Sequence, residues 1–180
     1  MDCYSRRPLV GSLYAYPRLW YGVYYFSVIL THNNVNTGEI PWLFQPNFYD
    51  CHRYHLGFTV SSEYKQYNNA SLHRRIVRTT SPDPFYSDEA GVAPPGHVCV
   101  TVTGHNRGSG IQHHIIPAKY LRPANPIAKN QLCLVIKGTH ASEIVVVKKC
   151  QKSIRMVVSV NDEAAFSFDD VCLVYQSASL

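Results

Sequence analysis

The apolar positions of the chain fall into short runs, and the clearest of them flank a single turn. LCLVIKGTHASEIVVVKKC, Leu132 to Cys150, places branched apolar residues on either side of a polar turn containing Gly138 and closes with Lys148 and Lys149. That is the pattern of a β-hairpin. Leu132, Leu134 and Ile136 share one face, and Cys133 and Val135 take the other. Both faces are apolar, so the first strand is expected to be central and buried. After Gly96 the same texture recurs in VCVTVTG, QHHIIPAKYL, IRMVVSV, AAFSF and VCLVY. From Leu132 the turns come about every ten residues, the spacing of a small sandwich or barrel.

The first half reads differently. Residues 1–70 are Tyr-rich, alternating aromatic and β-branched residues with breakers at Pro17, Asn33, Gly38, Pro41 and Pro46. Strands and loops, or a partly disordered chain, are expected there. The segment YNNASLHRRIVRT, residues 67–79, is read as a helix with Ser71 as its N-cap, and residues 71–95 are read as a short basic segment and a linker. Pro82, Pro84, Pro94 and Pro95 follow and suggest a linker. The expected organisation is thus mainly β, with a β-module over residues 96–177 and a poorly defined Tyr-rich N-terminal region. Within that module VCVTVTGHNRGSG aligns without gaps on LCLVIKGTHASEI. Cys99 falls on Cys133, Gly104 on Gly138 and Gly108 on Ser142, which suggests two related hairpins.

A hydrophobic fraction of 46% over 180 residues excludes a chain disordered throughout. Lys and Arg outnumber Asp and Glu by 17 to 12, and the excess is local. Lys119, Arg122, Lys129, Lys137, Lys148, Lys149, Lys152 and Arg155 face only Glu143 in the same span. A polyanion is the natural partner of such a patch, because clustered cations release condensed counterions on meeting phosphates. The longest early apolar stretch, Leu19 to Leu30, has 12 residues, too few to span a bilayer, so no membrane association is expected.

No catalytic residues are assigned, nor any cofactor or metal site. Cys51, His52 and His55 lie close in sequence, but no second cluster with ligand spacing follows them, and zinc needs four ligands. His113 and His114 are neighbours in a strand pattern, where they point to opposite faces. GHNRGSG lacks the Lys-Ser/Thr and the helix of a phosphate-binding loop. The six cysteines contain no C-x-x-C pair, which favours reduced thiols.

Hydrophobic alternation, Gly, three residues, Gly, then a second hydrophobic run resembles the KOW motif of ribosomal proteins and NusG-like transcription elongation factors. The resemblance covers about residues 96–175. It is clearest in IPAKYLRPANPIAKNQLCLVIKGTHASEIVVVKKC and the closing FDDVCLVY, which are similar to a C-terminal KOW module of the eukaryotic factors. Ser142 stands where the family usually has glycine. The resemblance implies an SH3-like small barrel of antiparallel strands in the C-terminal half and a nuclear, non-enzymatic role in transcription elongation. Its implied partners are RNA or DNA and RNA polymerase or a transcription complex.

On this reading Gly104, Gly108 and Gly138 are the structural turn residues, which let backbone N–H groups approach a phosphate closely. Arg107 and His105 sit at the tip of one turn, and Lys137 and His140 at the other. Lys148, Lys149, Lys152 and Arg155 extend the basic surface, and Tyr120 offers a face on which an unpaired base could stack. The alternative is a protein-protein interaction domain with the same barrel and no nucleic-acid role.

Overall fold

A computed structural model describes residues 35–64, 72–81, 83–103, 110–151, 156–159 and 164–176, all within one compact unit. The chain is mainly β, and its sheets are antiparallel.

Two 3-10 turns, Pro41–Phe44 and Pro46–Cys51, open the described chain. Each starts on a proline, whose fixed φ suits a first helical turn and whose missing N–H would be unpaired there anyway. Pro46 also forces Gln45 into an extended conformation, φ −97° and ψ 143°, which separates the two turns. They supply Trp42, Leu43, Phe44 and Phe48 to the core, with ring centroids 5.3 Å apart for Trp42 and Phe48 and 6.1 Å for Trp42 and Phe58.

The main sheet then runs through β1 (His55–Val60), β2 (Ile76–Thr79), β5 (His97–Thr103), β6 (Ile111–Pro117) and β7 (Leu121–Pro123). It continues with β8 (Leu132–Val135), β9 (Ile144–Gln151), β10 (Met156–Ser159), β11 (Ala165–Ser167) and β12 (Val171–Tyr175). A separate two-stranded hairpin joins β3 (Tyr86–Ser87) to β4 (Gly91–Val92). The hydrogen-bonded order is β11-β10-β9-β8-β12-β1-β2-β5-β6, with β7 also on β1. The path ends at β11 and β6 without closing.

That order contains one topology twice. β1, β2, β5 and β6 pair in succession, a 3-10 turn at Ala118–Tyr120 follows, and β7 returns to β1. β8, β9, β10 and β11 pair in succession, a 3-10 turn at Phe168–Asp170 follows, and β12 returns to β8. Equivalent strands are therefore β1 and β8, not β5 and β8. The expected alignment of Val98 on Leu132 matches hydrophobic texture, which any two buried strands share, and it pairs the third strand of one set with the first of the other.

β8 is central as its two apolar faces require: Cys133, Leu134 and Val135 are fully buried between β9 and β12. Cys133, Val135, Val145, Val147 and Val171 form the core of the second set, with Phe166 and Phe168 packed against it.

Two expectations for residues 71–95 are corrected. Ile76–Thr79 is a strand, not a helix, with the alternation exposed, buried, exposed, buried. β-branched Ile76, Val77 and Thr79 favour that choice, and Val77 and Thr79 are fully buried on one face. The proline-rich stretch is packed against the sheet. Phe85 is buried with its ring 5.1 Å from that of Phe44, and the Thr80 hydroxyl lies 2.6 Å and 2.8 Å from the carbonyls of Asp83 and Tyr86. Because β1 pairs with both β2 and β12, one sheet crosses the boundaries expected near residues 70 and 95.

Candidate nucleic-acid interface

The β8–β9 turn carries Lys137, Gly138 and His140. Gly138 adopts φ +85° and Ser142 φ +76°, and the Ser142 N–H donates to the Val135 carbonyl at 2.9 Å. Ser142 thus takes the left-handed conformation for which glycine is suited. Both polar tip residues engage carboxylates of the chain itself: Lys137 Nζ lies 4.0 Å from Asp170, and His140 Nδ1 lies 3.1 Å from Glu143. A phosphate would have to compete with those groups.

Lys148 and Lys149 are both exposed, although neighbours on a regular strand face opposite ways. The register explains it. Lys149 pairs with Val158 and Val147 with Ser159, so Lys148 is the extra residue of a β-bulge. His105, Arg107, Gly104 and Gly108 of the other turn lie outside the described residues, as do Lys152 and Arg155. Tyr120 packs against Tyr64, with centroids 4.9 Å apart, and the Lys119 ammonium sits 4.9 Å from its ring centroid. Arg122 pairs with Glu39 at 3.0 Å.

The structure brings together a second basic group that the sequence reading did not single out. Arg74, Arg75, Ile76, Arg78, Thr101, Val102 and Tyr175 line an open groove of about 440 Å³. Arg74 and Arg78 are exposed, and the Arg78 guanidinium stacks over the Tyr175 ring at 3.8 Å. Ile76, 47% exposed, adds an apolar surface beside them. The signal was present in HRRIVRT: read with a strand period, Ile76 and Arg78 share the solvent face, whereas a helical period disperses them.

The Cys51, His52 and His55 group is dispersed. Cys51 Sγ faces the Ser142 carbonyl at 3.4 Å, His52 Nε2 the Leu43 carbonyl at 3.0 Å, and His55 Nδ1 the Thr79 carbonyl at 2.8 Å. Among the described residues no cluster of three His, Cys, Asp or Glu side chains is placed to hold a metal. Burial pushes the Cys51 thiol up to about 11 and the His52 imidazole down to about 4, so both are neutral at physiological pH.

Among the described residues one Ser-His-acid contact is present. The Ser87 hydroxyl is 2.8 Å from His113 Nδ1, and Glu89 lies 3.8 Å from Nε2 of the same ring. Ser87 is buried, and its oxygen accepts the Ala90 N–H at 3.3 Å within the β3–β4 turn, a turn-closing role. No described helix is long and apolar enough to cross a membrane. No family model and no curated protein matches the chain.

Proposed function

We propose that the chain is a non-catalytic, KOW-like module that binds nucleic acid, RNA or DNA, as part of a transcription complex in the nucleus. The observation that carries the reading is the repeated strand order, in which four strands pair in succession and a fifth returns beside the first after a 3-10 turn. Such a return is the connectivity of an SH3-like barrel of five antiparallel strands, which is the fold that the KOW resemblance implies. The basic side chains Lys148 and Lys149, exposed together at the bulge of β9, support a phosphate-binding role. Fluorescence anisotropy with labelled RNA and duplex DNA across a salt series tests the proposal. Binding that weakens steeply with salt supports it, and absence of binding at low salt overturns it.

A protein-interaction reading is favoured by one separate observation. β6 ends the sheet with Ile111 63% exposed, leaving an edge on which a partner strand could add. On that reading Lys148→Ala/Lys149→Ala leaves binding to a protein partner intact, while Ile111→Lys abolishes it.

A further inference from the structure

The arginine groove on β2 combines two features that the β8–β9 turn lacks. It holds Arg74, Arg75 and Arg78 within a span of five residues, and no carboxylate is among its described lining residues. It places the Arg78 guanidinium over the Tyr175 ring, 3.8 Å from its centroid, with Ile76 exposed beside it. As Ser142 does in that turn, Arg74 takes a left-handed conformation, φ +57°, where glycine or asparagine would be less strained.

The backbone holds these groups in place. The Arg74 N–H donates to the Val60 carbonyl at 3.0 Å, and the Val60 N–H donates to the Arg75 carbonyl at 3.0 Å. The end of β1 therefore fixes where both side chains emerge. Arg78 is fixed by pairing with Gly57 on one side and Thr101 on the other. Tyr175 is fixed by pairing with His55. The basic and aromatic components thus come from two different five-stranded sets and meet only because β1 joins them.

From this geometry, and resting on the nucleic-acid reading above, we infer that the groove is the site for a single strand of nucleic acid. Phosphates would meet Arg74 and Arg75, and an unpaired base would lie against the Arg78–Tyr175 stack and Ile76. Arginine suits the phosphate role because its planar fork makes paired hydrogen bonds to phosphate oxygens. Bases of a duplex are already stacked on one another, so a flat guanidinium-aromatic platform distinguishes a single strand from a duplex. The volume of about 440 Å³ lies within the roughly 300–1,000 Å³ typical of small-ligand sites, enough for part of a strand at a time.

The test uses the full chain with fluorescein-labelled oligouridylate and oligothymidylate of about twelve nucleotides, and a duplex of equal length, over a salt series. Arg74→Asn, which suits the left-handed backbone, is expected to weaken single-strand binding about fivefold and reduce the salt slope by about one. Tyr175→Leu is expected to weaken it about tenfold with the salt slope unchanged, because stacking carries no counterion release. Arg78→Lys keeps the charge but removes the planar stack, so it should follow Tyr175→Leu. Thermal melting at the wild-type temperature for Arg74→Asn and Arg78→Lys separates a lost contact from a lost fold. The RNA and DNA arms show which sugar is preferred, and equal affinities leave the site assignment intact. Wild-type binding that survives all three substitutions but is lost in Lys148→Ala/Lys149→Ala would overturn the groove while leaving the nucleic-acid reading standing. A preference for duplex over both single strands would overturn the single-strand assignment, and no wild-type binding would overturn both.

Discussion

The guanidinium of Arg78 lies 3.8 Å from the centroid of the Tyr175 ring, although β1 separates the strands that carry them. Gly57 makes the contact possible. It pairs with Arg78, and a Cβ built on it would stand 2.9 Å from Tyr175 Cε2 and 3.3 Å from the Leu173 carbonyl oxygen. The ring therefore crosses β1 at the one position of that strand with no side chain.

Gly57→Ala should displace the Tyr175 ring and destabilise the chain by about 1–3 kcal/mol, the usual cost of inserting a methyl into a packed site. Urea denaturation measures the loss. In a Tyr175→Ala background the same substitution should cost less, because the nearest atom it meets is gone. An equal cost in both backgrounds would show that the ring does not lie against Gly57.

Ser142→Gly should stabilise the chain by up to about 1 kcal/mol, because it relieves a side chain held in left-handed backbone. The φ of +76° at Ser142 is the basis of the expectation. A higher urea midpoint with an unchanged slope is the expected result, and a lower midpoint would contradict it.

Stability should fall as the pH drops from about 6.5 towards 4, because burial lowers the His52 imidazole from 6.5 to about 4. The unfolded chain then binds a proton that the folded chain refuses, so acid favours unfolding across that window. The contribution is complete above 6.5, lost near 4, and on the order of 3 kcal/mol in size. His114 is lowered too, by burial and then by the charges of His113 and Arg75, and it acts with the same sign. Half-buried Asp83, raised by desolvation, opposes them at the acid end, since its protonated form is the better tolerated in the fold. His52→Phe should flatten the pH dependence of the urea midpoint even if it lowers the midpoint throughout.

The buried thiols should be inert in the native state. Burial pushes Cys99 up to about 11 and Cys133 to about 12, with Cys172 raised further still. A rise of about two units lowers the thiolate fraction about a hundredfold at mildly alkaline pH, before access is considered. A thiol-disulfide reagent should therefore label these three in urea and leave them largely unlabelled without it, as mass spectrometry of the digested chain would show. Rapid native labelling of Cys133 would contradict the burial.

The hairpin from Leu132 to Cys150 was legible because each side of its turn is dense in β-branched residues and the turn contains Gly138. The pairing of β1 with β12 was not, since a contact between His55 and Tyr175 leaves no local trace in either segment. HRRIVRT misled because Ser71 suits an N-cap and arginine is a good helix former, while the deciding facts, full burial of Val77 and Thr79 in the sheet, are tertiary. The same error concealed the groove. Lys148 and Lys149 could be named from composition, but their shared exposure depends on a bulge set by the partner strand.

The most direct test of the central claim is the affinity of the full chain for labelled single-stranded RNA, measured by anisotropy across a salt series. Log affinity should fall linearly with log salt, with a slope steeper than about −2, as expected when three or more cationic side chains meet phosphates. Affinity indifferent to salt, or no binding at the lowest salt, would contradict it.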